Sequence, residues 1–502
     1  MIQRRSLLTG AAAGALLAVT GCTADERPPG PQPPNSTETP RIDPRANAVL
    51  TRTPAGDLVV PSGPEGALVA SRAVLAAATV VVVVGAAADA SPHATAARLA
   101  RELGIPAFVD APGLAAELDR LQTRTVLAYG TPQHVGGRAS VAAPATAAEV
   151  DLPGLPARAE APPVLALVSG PLDPLTDAVL SAAGVPPALT LIGPHPGVTA
   201  ESTARVRAHR GPLLAVGEGF GTDQQFAGQV EVTRTAAELP GGGIAPFPGR
   251  HMIALYGHPE TAGLGMLGEQ PPAEAVTRLN RLVEEYRAQL PGQTVVGSFE
   301  IIATVASAGA GEDGDYSYET PAELLLPWIE AAEENDIYVV LDLQPGRTSF
   351  LEQAKRYAEL LKRPGVGLAL DPEWRLKPNQ KHLRQIGQVQ VDEVNEVGAW
   401  LADLVAEHRL PPKVLTLHQF QTRMIVDRAR LDTSRPEIQY LVHVDGQGGQ
   451  GAKQDTWKAI KRDLPPHTHL GWKNFEDEDL PMLTPRETIE QVHPTPQFIS
   501  YQ

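Results

Sequence analysis

Acidic and imidazole side chains recur at the ends of apolar segments in the second half of this 502-residue chain. His251–His258 ends in Tyr256-Gly-His258, Ile337–Gln344 in Asp342-Leu-Gln344, and Val366–Trp374 in Asp371-Pro-Glu373-Trp374. Val414–Phe420 carries His418 and Gln419, and Ile438–Asp445 ends in His443-Val-Asp445 with Gln447 just beyond. His469–Asn474 supplies Trp472-Lys473-Asn474, and Phe498–Gln502 supplies Tyr501 and Gln502. Residues two apart on a strand share a face, so Asp342 stands with Gln344, Asp371 with Glu373, and His443 with Asp445. Such pairs suit acid–base hydrolysis, because burial beside a second carboxylate raises a carboxyl's pKa until it donates a proton near neutral pH. On this chemistry Glu373 is the expected acid, Asp371 its neighbour, and Asp342, His443 and Asp445 the supporting groups. Tyr256, Trp374, Trp472 and Tyr501 are expected to stack on sugar rings, and Gln344, Gln419, Gln447, Asn474 and Gln502 to bond hydroxyls. His258, His418 and Lys473 complete the expected binding set.

The elements that must position these groups can be read from periodicity. Eight apolar segments, with Thr294–Ser307 as the second, alternate with helix-like stretches such as Ala273–Leu290, Phe350–Leu361, Val394–His408 and Glu487–Val492. Eight strand–helix units in about 250 residues predict a (β/α)₈ barrel over 247–502, with its active face at the carboxyl ends of the strands. No helix pattern follows the last segment, and the preceding domain is the expected cover for that flank. The loops Ala308–Tyr318 and Gly446–Gly451 would then lie over the mouth, the first as a lid or calcium-like turn.

Gly367-Leu-Ala369-Leu-Asp371-Pro-Glu373 resembles the strand-four motif of family 18 glycosidases, Gly-x-Asp-x-Asp-x-Glu. The resemblance implies a glycoside hydrolase in which Glu373 is the general acid and Asp371 orients an N-acetyl group. Ala369 stands where the family has its first Asp, and His443-Val-Asp445 where it has Tyr-Asp; these departures favour the alternative of a non-catalytic lipoprotein that binds cell-wall polysaccharide. A metal site built from His258, Asp342, Asp371, His418, His443 and Asp445 competes with this reading. No His-x-His stands on the first strand and no strand carries a paired ligand motif, so no metal and no other cofactor is expected. His408, His467, His469 and His493 flank elements and read as ordinary surface or core residues.

The first half has a different composition. Met1–Gly21 has the basic start, apolar stretch and Val19-Thr20-Gly21-Cys22 ending of a bacterial lipoprotein signal, with Arg4-Arg5 as in twin-arginine export. Cys22, the sole cysteine, is the expected lipidation site and membrane anchor, and 22–46 is a proline-rich tether. From 47 to 246 short strands alternate with short helices twice over, which predicts a small Rossmann- or flavodoxin-like parallel sheet covered on both faces. Ala67–Ala76, Gly104–Phe108 and Leu114–Tyr129 resemble the type 2 cell-wall-binding repeat of Gram-positive surface proteins, which implies a cell-wall polysaccharide or other glycan as partner. The layout resembles lipoproteins of high-GC Gram-positive bacteria. Gly85–Asp89 lacks the dinucleotide glycine pattern, so no nucleotide cofactor is expected. A net charge of −16 without a basic block argues against nucleic acid as a partner.

Overall fold

The computed structural model describes residues 47–85, 90–150 and 160–502. The signal segment, Cys22 and the tether lie outside the described residues, as do 86–89 of the glycine–alanine stretch. Short apolar runs form strands, buried at the centre and exposed at the Ala139–Ala142 edge, and these build two four-stranded parallel sheets among the described residues rather than one. Ala107–Val109, Val80–Val84, Thr125–Tyr129 and Ala139–Ala142 lie side by side in the first. Leu58–Val60, Leu213–Val216, Leu165–Ser169 and Leu189–Leu191 do so in the second. Each pass places its first strand between its second and third. The edge that Ala139–Ala142 takes in the first sheet is filled in the second by Leu58–Val60, from ahead of the first pass. Side-chain caps start the helices that follow the strands of the second sheet: Asp173 accepts from two amides of Pro174–Ala182, and Thr199 and Thr222 form capping boxes.

The second half closes into a barrel of eight parallel strands among the described residues. These are β1 (Arg250–Gly257), β2 (Thr294–Ala306), β3 (Tyr338–Leu343), β4 (Val366–Leu370), β5 (Lys413–His418), β6 (Ile438–Val444), β7 (His469–Asn474) and β8 (Phe498–Tyr501). β1 pairs with both β2 and β8, which closes the ring. The expected TIM-barrel-like fold is therefore present, with strand bounds within a few residues of the apolar segments. The exception is β4, which ends at Leu370 because Pro372 lacks the amide a ladder needs; Pro372–Trp374 is a 3₁₀ turn capped by Asp371.

Alternation sorts the strand side chains into two sets. Outward residues pack against the helices Pro272–Gln289, Ala322–Glu334, Phe350–Arg356, Val391–His408 and Gln450–Ile460. Inward residues of the lower barrel, among them Met252, Ala254, Val296, Tyr338, Val340, Ala369, Val414, Leu441 and Phe498, form an apolar layer. Leu239 and Phe247, from the segment leading into β1, join this layer. Phe247 is held in place by Gln439, which accepts from its amide (2.6 Å) and donates to its carbonyl (2.8 Å). The segment ahead of the barrel thus seals the amino-terminal rim and does not cover the β8 flank. That flank is closed by the helices Pro272–Gln289 and Pro485–Gln491, which pack on each other, with the Tyr286 and Tyr501 hydroxyls 2.7 Å apart. Truncation at Phe247, which is fully buried, is expected to cost ~3–5 kcal/mol. Denaturant unfolding of Phe247→Ala checks this, and a loss below ~1 kcal/mol contradicts the plug.

Candidate active site

Above the apolar layer the inward positions turn polar on every strand: Tyr256 (β1), Glu300 (β2), Asp342 (β3), Asp371 (just past β4), His418 (β5), His443 (β6), Lys473 (β7) and Ser500 (β8). All eight are buried. The parity that points Met252 and Ala254 inward carries Tyr256 inward, and that of Val296 carries Ser298 and Glu300. His418 lies near the centre. Its Nε2 is 3.0 Å from Glu300 Oε1 and 3.8 Å from Asp342 Oδ1, and its Nδ1 is 3.1 Å from Asp445 Oδ2. His443 turns Nδ1 toward Glu300 Oε1 (3.7 Å) and Nε2 toward Ser500 Oγ (3.1 Å). The Tyr256 hydroxyl donates to Asp342 Oδ2 (2.9 Å) and accepts from Gln344 Nε2 (3.3 Å). The Lys473 ammonium sits 3.3 Å from the centroid of the Tyr256 ring, a cation–π contact in a desolvated place.

Burial and mutual charge set the protonation states. Burial works against ionisation of Glu300, yet the imidazoles of His443 and His418 hold its carboxyl well below the usual range. Of the two, His418 carries the charge. Burial opposes its protonation too, but Glu300 and Asp445 raise its pKa far above that of a free imidazole. Burial brings His443 down toward the neutral form. Asp445 is lowered against burial by its hydrogen bond to His418. Burial pushes Asp342 up to about 6, with Glu300 adding to it. Burial lifts Asp371 well above the carboxylate range, reinforced by Asp342, Asp445 and Glu373. Glu373, half-buried at the tip beyond β4, is pushed up to about 7 by burial and by Asp445.

Most of the expected residues converge here: Tyr256, Asp342, Gln344, Asp371, Glu373, His418, His443, Asp445 and Lys473. Six expected residues, Trp472, Tyr501, His258, Trp374, Gln419 and Asn474, are engaged elsewhere, and Gln447 has no part in the cluster. Trp472 faces outward, edge-on to Trp457, and Tyr501 faces outward to Tyr286, because Lys473 and Ser500 hold the inward positions of β7 and β8. His258 lies past the end of β1 and bonds Thr320 Oγ1 and the Glu260 amide. Trp374 packs edge-on to His382. Gln447 is exposed. Of the amides, Gln419 is tied to Arg428 and Asn474 to the Trp472 indole. Glu300 and Ser500 were not expected. β2 runs six residues past Glu300 and hides it from a search of strand ends, although Glu300 is the one charged residue in Thr294–Ala306.

The chain matches no protein-family model and no curated protein. Glu300, His418 and His443 each offer a ligand atom within 4.8 Å of the others and could hold a metal ion. A second acidic group, Asp313, Asp315 and Glu319 in the loop after β2, is internally committed: Asp315 accepts from the Ser317 amide and from Thr348 Oγ1. A cleft of about 1070 Å³ lies at the opposite rim between Gly217–Gly221 and Leu431–Gln439, away from all of these groups. Gly471 is what lets His443 sit where it does: a Cβ there would fall 2.6 Å from His443 Cδ2. Gly471→Ala is expected to cost ~1–3 kcal/mol by overpacking. Gly451→Ala, where nothing lies within 4 Å, serves as the control in thermal unfolding.

Proposed function

We propose that the protein is a lipid-anchored, extracytoplasmic hydrolase of the cell envelope whose barrel mouth cleaves a glycan. The observation that carries this reading is Glu373, a half-buried carboxyl at the carboxyl-terminal rim whose pKa stands at about 7 directly above buried Asp371. A carboxylic acid kept protonated near neutral pH is what departure of a sugar alkoxide requires. The Asp371 carboxylate accepts from the Glu373 amide (3.1 Å), which fixes the tip that carries the acid. Asp445, hydrogen-bonded to His418 and a charge neighbour of Glu373, is the second carboxylate of the pair. The resemblance of Gly367–Glu373 to the family 18 motif points to an N-acetylated polysaccharide. Ala369 lies in the apolar layer below, so Glu373 works without the lower Asp of that motif. The lipobox at Cys22 and the wall-binding-like pattern of 47–246 supply the location and a glycan partner. Among the described residues no helix is long and apolar enough to cross a membrane.

Glu373→Gln is expected to lower turnover of chitooligosaccharide or peptidoglycan at least 100-fold with the fold retained. Failure of the wild-type chain to cleave any member of a glycan panel overturns the assignment. The active form of Glu373 is the protonated one, so the rate is expected to fall as pH rises through about 7. A rate that climbs across that range would assign the acid to another group.

A further inference from the structure

We propose that Glu300, His418 and His443 bind one divalent transition-metal ion of the zinc class on the barrel axis, beneath the glycan-cleaving rim. The donor set is two imidazole nitrogens and one carboxylate oxygen, a combination suited to zinc with remaining positions left to water. The spacing fits a shared ion. Two donors at ~2.0–2.1 Å from a tetrahedral ion lie about 3.3 Å apart. Glu300 Oε1 lies 3.0 Å from His418 Nε2 and 3.7 Å from His443 Nδ1, on either side of that value.

Three further observations point the same way. Each imidazole has its far nitrogen fixed by an oxygen: His418 Nδ1 by Asp445 Oδ2 and His443 Nε2 by Ser500 Oγ. Outer partners of this kind set the tautomer that turns a lone pair toward a metal. Glu300 Oε2, His443 Nδ1 and Asp342 Oδ1 are fully buried polar atoms with no hydrogen-bond partner among the described residues. Unpaired buried polar groups are costly, and these three belong to the donor residues or to Asp342, whose Oδ1 lies 3.8 Å from His418 Nε2. Finally, the interior is rich in acid: Glu300, Asp342, Asp371, Glu373 and Asp445 face the Lys473 ammonium and the two imidazoles. A dication offsets that excess where protons otherwise must.

Elemental analysis of the full chain, purified without chelator from zinc- and manganese-supplemented medium, is expected to give one equivalent of metal. Titration of zinc into chelator-stripped protein is expected to restore it with a rise in Tm. Glu300→Gln and His443→Gln are expected to abolish binding. Ser500→Ala, which keeps all three donors, is expected to weaken it roughly 10–100-fold. Glu373→Gln is expected to keep the metal while losing glycan cleavage, which separates the two assignments. Asp315→Asn is expected to keep it as well. Protein that takes up neither zinc nor manganese overturns the proposal, and so does stoichiometric binding unchanged in folded Ser500→Ala and Glu300→Gln.

Discussion

Acid packed into a space with little positive charge governs the upper barrel. Five carboxyl groups share the region around His418, and Lys473 is the one ammonium among the described residues that acts on most of them. In so poorly solvated a place each further ionisation raises the cost of the next. The outcome is a division of states. Glu300 and Asp445 remain ionised on either side of His418, while Asp342, Asp371 and Glu373 are pushed toward their acids. Any chemistry at this mouth, by proton transfer or through a cation, draws on that imbalance.

The rest of the barrel serves to hold it. Buried carboxylates need a rigid, dry foundation, and the apolar layer from Met252 to Phe498, closed below by Leu239 and Phe247, provides it. The polar layer is therefore closed off from the amino-terminal rim. Small residues matter as much as large ones. Gly471 admits the His443 ring, and Gly367 admits the Tyr338 hydroxyl, which would lie 2.9 Å from a Cβ.

Much of this was legible in the residues alone. Eight apolar segments of strand length, each closed by a polar residue, carried the barrel and the membership of Asp342, Asp371, Glu373, His418, His443 and Asp445. What escaped was parity and reach. Trp472 and Tyr501 sit one residue from the inward positions, and one residue moves a side chain to the opposite face. Aromatic size drew attention to them, whereas Lys473 and Ser500 hold the site. Glu300 escaped because β2 is unusually long; a carboxylate inside an otherwise apolar strand was the signal available. The separation of the first half into two sheets lay beyond periodicity, since strand spacing alone carries no information on which edges pair.

Leu58–Val60, which precedes the first pass of the amino-terminal half, completes the sheet of the second. The second sheet therefore depends on a strand that its own pass does not supply. A fragment beginning after Val60 would leave Leu213–Val216 as a bare sheet edge, open to pairing with another chain. If the passes arose by duplication, this strand made the second copy dependent on the segment ahead of the first, so that the second cannot now be excised and keep its sheet complete.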